Sequence, residues 1–302
     1  MLGWPLGILL AISFVTCTVT NITKNWYSRK ISVSTRGTWY FVLVQCLATA
    51  VLIFIVNGGI GVCSWYSLYM GLIFGVVGTL QLLLFMYAIA IGPFSYSSVI
   101  SSMATLIPTL AGAIFWSEKI NVFQWIGIVL MVVCIIFSTD KSKSGSERKV
   151  GTKWLIIILS STVLGGFIGI LQKMHQTSVH KDETSLFLVS SFLISALIAA
   201  VMVVICRNKR DGDNVTPAAR TAWRWLIPLI SGLSFTFPHI INLYLSGVLE
   251  AAIMFPVVNL GPLVLTTVAA AVIFKEKLSV RQWIGIGIGI VSTLFVSGVI
   301  SF

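Results

Sequence analysis

The chain has 302 residues, of which 57% are hydrophobic and only 10% charged, whereas a water-soluble domain carries about 25% charged residues. Its mean hydropathy of +0.99 excludes a soluble globular protein and calls for a lipid bilayer. The net charge of +11 does not indicate nucleic acid, because the basic residues cluster in short segments beside apolar runs, where the positive-inside effect acts.

The apolar runs are too long for barrel strands and do not alternate. Their backbone groups must then be satisfied within helices. Ten spans are predicted, at 3–23, 36–56, 67–89, 94–116, 122–138, 153–172, 184–206, 225–246, 251–274 and 282–301. Each approaches the ~20 residues that cross a ~30 Å hydrocarbon core. Tryptophans such as Trp26, Trp65, Trp116, Trp154 and Trp223 mark their ends, as an interfacial aromatic belt does.

Span 1 lacks a basic leader and a small-residue cleavage site, so it is expected to be retained. It offers Ser13, Thr16, Thr20 and Asn21 as polar positions and ends at Lys24. On span 3, Gln81 and Tyr87 are candidate cavity residues, followed by a Gly92-Pro93 hairpin. Span 4 starts near Tyr96 and carries Ser97, Ser101, Thr105 and Pro108 at helical spacing. Such small polar residues serve either a solute cavity or close helix packing.

A Glu118-Lys119 link leads to span 5, and the polar run from Ser138 to Lys153 closes the first half. The division is therefore 1–140, a linker at 141–152, and 153–302. A second polar segment, Arg207 to Arg224, precedes span 8. There His239, Asn242 and Ser246 share one helical face, and Pro238 sits beside the histidine. An ionisable residue inside a span marks a functional position by default, and histidine titrates near neutrality, which suits proton coupling. The bland alternative is a neutral histidine bonded to a neighbouring helix. Span 9 presents Pro256, Asn259, Leu263 and Thr266, and ends in Glu276-Lys277.

The last element explains the organisation. EKINVFQWIGI, Glu118 to Ile128, returns as EKLSVRQWIGI, Glu276 to Ile286, with eight of eleven residues identical at an offset of 158. Two halves of five spans each must enter the membrane in opposite senses. The fold class is thus an all-α membrane protein of ten transmembrane helices, built as two inverted five-helix repeats around a central cavity. Glu118, Lys119, Glu276 and Lys277 become gating candidates at the two mouths. The alternative reading is that each acid simply favours the positive end of the following helix. Of the 20 lysines and arginines, only Lys119, Lys173 and Lys181 fall on one face. The remaining 17 lie on the other, which should be cytoplasmic and would leave both termini outside.

The ten-span layout and the patterns F-W-S-E-K-I…W-I-G (Phe115–Gly127) and F-K-E-K-L…W-I-G (Phe274–Gly285) resemble the EamA-type branch of the drug/metabolite transporter superfamily. Tyr87-Ala88, Lys24 and Lys173 add to the resemblance. It implies a basket of helices with spans 1, 3, 4, 6, 8 and 9 lining a cavity, and spans 5 and 10 outside or at a dimer face. It implies transport of small metabolites, and termini in the cytoplasm, against the charge count.

No aspartate or glutamate falls inside a span, which disfavours export of cationic drugs and favours a neutral or zwitterionic metabolite, such as an amino acid in efflux. No G-x-x-x-x-G-K-[ST] loop occurs, so an ATP-driven pump is not expected. The five cysteines have no metal-type spacing. The expected partners are a small-molecule substrate and the bilayer of a bacterial plasma membrane, with the proton as coupling ion, no cofactor, no metal and no nucleic acid, in a monomer or homodimer. The alternative is an intramembrane enzyme acting on a lipid-linked substrate through His239. It lacks an embedded acid to orient that base.

Overall fold

The structure is a computed structural model that describes residues 6–28, 35–61, 63–118, 121–138, 151–206, 223–273, 275 and 280–296. Its helices in chain order are α1 (Leu6–Trp26), α2 (Thr35–Val56), α3 (Trp65–Ile91), α4 (Phe94–Ser102), α5 (Leu106–Phe115), α6 (Val122–Ser138), α7 (Thr152–Gln176), α8 (Thr184–Ile205), α9 (Trp223–Val248), α10 (Ala251–Val272) and α11 (Val280–Val296). There is no strand among the described residues. Eight segments are long and apolar enough to cross a membrane, with Ser97–Phe115 counting as one. α6 and α11 have 17 residues each.

Local chemistry sets the boundaries. The Ser64 side chain accepts a hydrogen bond from the Ser67 amide at 3.1 Å and so caps α3. Gly92 ends that helix and Pro93 starts α4, where a missing amide hydrogen costs nothing. The regular helix expected over span 4 is interrupted by a 3₁₀ turn at Met103–Thr105. Pro108 explains it: its ring cannot donate to the carbonyl of Ala104 and crowds it. Among the described residues, Ser117 and Lys275 are the non-glycine residues with left-handed backbones, φ 54° and 53°. Each immediately precedes the glutamate of one copy of the repeated motif.

The helices pack in a consistent set of neighbours: α1 on α9 and α10, α2 on α8 and α9, α3 on α7 and α8, α7 on α4 and α5, and α6 on α11. The main apolar core lies between α2, α3, α8 and α9, around Phe41, Ile53, Phe74, Phe187 and Leu243. α6 and α11 pack chiefly on each other, joined by Ser292 Oγ donating to the Gly127 carbonyl at 2.6 Å.

Two glycines set the tightest approaches to the backbone of a neighbouring helix among the described residues. A Cβ at Gly75 would sit 3.0 Å from the Ser191 carbonyl carbon and closer still to its oxygen. The Gly75 carbonyl accepts from Thr79 on its own helix at 2.7 Å and from Ser195 on α8 at 3.0 Å. The same arrangement recurs on α9. A Cβ at Gly232 would lie 2.5 Å from the Gln45 carbonyl oxygen. The Gly232 carbonyl accepts from Thr236 at 3.1 Å and from Thr49 on α2 at 2.9 Å. Without a driving force between apolar helices in lipid, such close backbone contact and interhelical hydrogen bonding are what hold helix pairs together.

Candidate functional site

A cavity of about 250 Å³ lies among α1, α3, α4, α5, α7, α8, α9 and α10, and α2 reaches it through Cys46. Sites for drug-sized ligands run to about 300–1,000 Å³, so this one suits a small solute. α8 was not expected among the lining elements, yet it contributes Ser191, Phe192 and Ser195.

Of the sequence-derived candidates, His239, Asn242, Asn259, Ser101, Thr105 and Gln81 all line this cavity. The broken helix brings Ser101, Thr105 and Pro108 to one wall. Glycines of α7 press against the break: a Cβ at Gly169 would meet Pro108 Cγ at 2.9 Å. Ser97, Thr20 and Tyr87 do not line it. Ser97 Oγ donates to the Pro93 carbonyl at 2.9 Å and accepts from Trp154 Nε1 at 3.1 Å. Thr20 bonds back to the Thr16 carbonyl at 2.9 Å, and Tyr87 is half-buried elsewhere on α3. Lys119, Glu276 and Lys277 lie outside the described residues, as does the side chain of Tyr96.

The polar lining is already partly cross-linked. Ser13 Oγ donates to Asn242 Oδ1 at 3.4 Å, Asn21 Nδ2 to Thr266 Oγ1 at 3.5 Å, and Asn259 Nδ2 to the Phe255 carbonyl at 2.8 Å. His239 stands edge-on to Phe235, Phe192 and Phe74, with centroids 4.3, 5.0 and 6.0 Å away. Its buried Nδ1 has no hydrogen-bond partner among the described residues, and neither has Ser98 Oγ. No aspartate or glutamate is among the described lining residues.

Lys24 also lines the cavity, 6% exposed, with Nζ 4.4 Å from the centroid of Phe235. A lysine at a span end either snorkels outward to headgroups or faces an anionic solute, and the inward course of this one has a local reason. Side chains of an α-helix lean toward its N-terminus, so a lysine in the last turn of α1 tilts back into the bundle.

The end of the bundle where α7 and α9 finish is held by a buried ion pair. Lys173 Nζ lies 3.0 Å from Glu118 Oε1, with the side chains 7% and 10% exposed. Lys173 also donates to the Leu249 carbonyl at 2.9 Å, and Glu118 Oε2 accepts the Ala251 amide at 2.8 Å. One ion pair thus joins α5, α7, α9 and α10. Sequence reading named both residues but did not pair them, since they lie 55 positions apart in the chain. At the same end Ser64 donates through its amide, at 3.2 Å, and through its hydroxyl to Glu183 Oε2, and His180 Nδ1 lies 2.9 Å from Glu183 Oε1. The Ser64 hydrogen bond foremost holds the Glu183 carboxyl down to about 2, so it stays ionised across the neutral range.

Comparison with known proteins places these features in context. A solved crystal structure, 12% identical, superimposes with a TM-score of 0.66 over 98% of this chain and 99% of that one, which shows a shared fold. An uncharacterised protein of Haemophilus influenzae is 22% identical over 190 residues, 63% of this chain. The chain thus spans 62% of that curated relative's length. Residues 152–298 match the model of the EamA-like transporter family. Together with the many apolar helices this makes the chain a multi-pass integral membrane protein. The second half of the chain thus matches the EamA-like transporter family, which lies within the drug/metabolite transporter superfamily.

Proposed function

We propose that the protein is a secondary transporter that carries a small neutral or zwitterionic metabolite across a bacterial plasma membrane, by alternating access of two inverted five-helix halves. The observation that carries this reading is the cavity itself. It is lined by amides, hydroxyls and phenylalanines from both halves, with no acidic side chain among the described lining residues. A cationic solute finds no counter-charge there.

The helix neighbours support the inverted halves. Exchanging α1 with α7, α2 with α8, α3 with α9, α4–α5 with α10 and α6 with α11 turns each principal contact into another on the same set. The α1–α9 contact becomes α7–α3, and α2–α9 becomes α8–α3. The two left-handed residues before Glu118 and Glu276, and the two bonded glycines, obey the same exchange. In a transporter of this design, equivalent elements trade roles at opposite mouths. The test is a flux screen of a metabolite mixture in proteoliposomes, with the lumen analysed for chemical conversion. Flux of an unmodified solute supports the transporter. A converted product would favour the enzyme alternative, for which the phenylalanines around His239 provide no orienting acid.

The net Lys and Arg distribution supports termini on the outside. A C-terminal reporter active only in the cytoplasm is expected to stay silent, and a signal from it would overturn this orientation.

His239 is assigned a substrate contact and a part in proton coupling, because it lines the cavity and leaves one ring nitrogen unbonded. His239→Gln keeps hydrogen-bonding capacity without titrating. It is expected to bind substrate yet lose pH-driven flux, while His239→Leu loses both. Wild-type flux and pH dependence in both variants would remove the residue from the mechanism.

A further inference from the structure

We propose that Lys24 is the docking point for the carboxylate of the transported solute, a zwitterionic metabolite with an apolar body. The proposal deepens the transporter reading and rests on it for the identification of the cavity as the solute site.

Three observations place it there. First, Lys24 is 6% exposed, belongs to the cavity lining, and turns inward until Nζ reaches the ring of Phe235, near the middle of α9. It is not used in any ion pair among the described residues. Besides Lys24, the ionisable side chains among the described lining residues are Cys17, Cys46 and His239, and none is a carboxylate. Second, its counterpart Lys173, at the end of the first helix of the other half, is fully engaged with Glu118 and the Leu249 carbonyl. One lysine closes an end of the bundle while the other stands in the cavity. Third, the cavity that Lys24 lines holds further donors for a carboxylate. Asn21 lies one turn back on α1, joined to Thr266 of α10, and Ser98 of α4 offers a hydroxyl with no partner among the described residues.

A cation buried away from water without a partner is unfavourable, and a ligand anion relieves that cost in a low-dielectric site. Among the described lining residues Lys24 is the one lysine or arginine, so one negative charge is matched while His239 is neutral, and a dianionic phosphate is not. Phe74, Phe85, Phe192, Phe235 and Phe255 provide the apolar wall for the rest of the solute. The ammonium of an amino acid would rest on neutral acceptors such as Asn242 and Asn259, since no lining carboxylate competes for it.

The test uses two matched pairs on the purified full-length protein in phosphatidylcholine nanodiscs, where no anionic headgroup provides the charge. The probes are leucine against leucinamide, and 4-methylpentanoate against 4-methylpentanamide, followed by titration calorimetry. The carboxylate of each pair is expected to bind about tenfold tighter or more than its amide, the gain of one charge-assisted hydrogen bond. Lys24→Met, close in volume, should erase the difference, and Lys24→Arg should keep it. Equal binding of acid and amide by the wild type, absence of carboxylate binding at millimolar concentration, or an acid preference surviving in Lys24→Met each overturns the proposal. The wild-type comparison needs no variant to fold. Flux of the same probes in proteoliposomes separates the two readings. Lys24-dependent binding without flux keeps the site and removes the transporter. Flux that ignores the carboxylate does the reverse.

Discussion

Gly75→Ala and Gly232→Ala are each expected to destabilise the protein, and the leucine variants are expected to yield no monodisperse material. The added Cβ meets backbone carbonyl groups, Ser191 from Gly75 and Gln45 from Gly232. A backbone obstacle cannot rotate aside as a flexible side chain can, so the helices must separate. Separation also weakens the hydrogen bonds from Ser195 to Gly75 and from Thr49 to Gly232. Overpacking a core costs about 1–3 kcal/mol, and the lost interhelical bonds add to it in lipid. Gly78→Ala is the control. It lies on the same helix, where a Cβ would find only an ordinary contact with Ile168 at 4.0 Å, and alanine favours the helix by about 1 kcal/mol over glycine. Thermal melts followed by size exclusion give the answer. If Gly75→Ala melts with Gly78→Ala, the α3–α8 approach is not the constraint argued here.

Breaking the Glu118–Lys173 pair is expected to open the end of the bundle that it holds. Removing one member of a buried pair costs about 3–5 kcal/mol, because the other charge remains without a partner. At a factor of ten per 1.4 kcal/mol, that loss corresponds to a population shift of roughly a hundredfold or more toward states in which the lone charge meets water. Cys17, which lines the cavity and is only partly buried, is a natural reporter. With exposed Cys63 replaced by serine, an impermeant thiol reagent added on the Glu118 side should label Cys17 slowly in the parent. Glu118→Gln or Lys173→Met should label much faster, and the double variant should fall back toward the parent, since no charge is then stranded. Unchanged labelling in both single variants would reduce the pair to a helix-end contact. The Ala251 amide would in that case have been the important partner of Glu118.

How much of this was legible beforehand differs residue by residue. Helix ends were recovered within a few positions because each is a boundary between lipid-compatible and polar sequence, a local property. Ser101, Thr105, His239, Asn242 and Asn259 were picked out because polar side chains are costly in lipid and stand out against an apolar background. The same rule misassigned none of them to solvent, but it could not tell a cavity wall from a helix seam. Ser97 looks identical to Ser101 in sequence, yet it is absorbed by Trp154, whose position depends on α7 meeting α4.

By itself the sequence determined the membrane environment, the helical class and the duplicated Glu-Lys motif. All of these follow from composition and spacing along one strand of chain. Only the tertiary structure decided which polar groups meet: Lys173 with Glu118, Ser195 with the Gly75 carbonyl, and Lys24 with Phe235. These contacts join residues 55, 120 and 211 positions apart. Hydropathy acts on each residue through its own solvent, whereas an ion pair or a carbonyl contact exists only once two distant backbones have been brought within a few ångströms. Lys24 makes the distinction plain. Its chemistry was known from one letter, but its inward direction came from the lean of side chains on α1 and the ring of α9 that receives it.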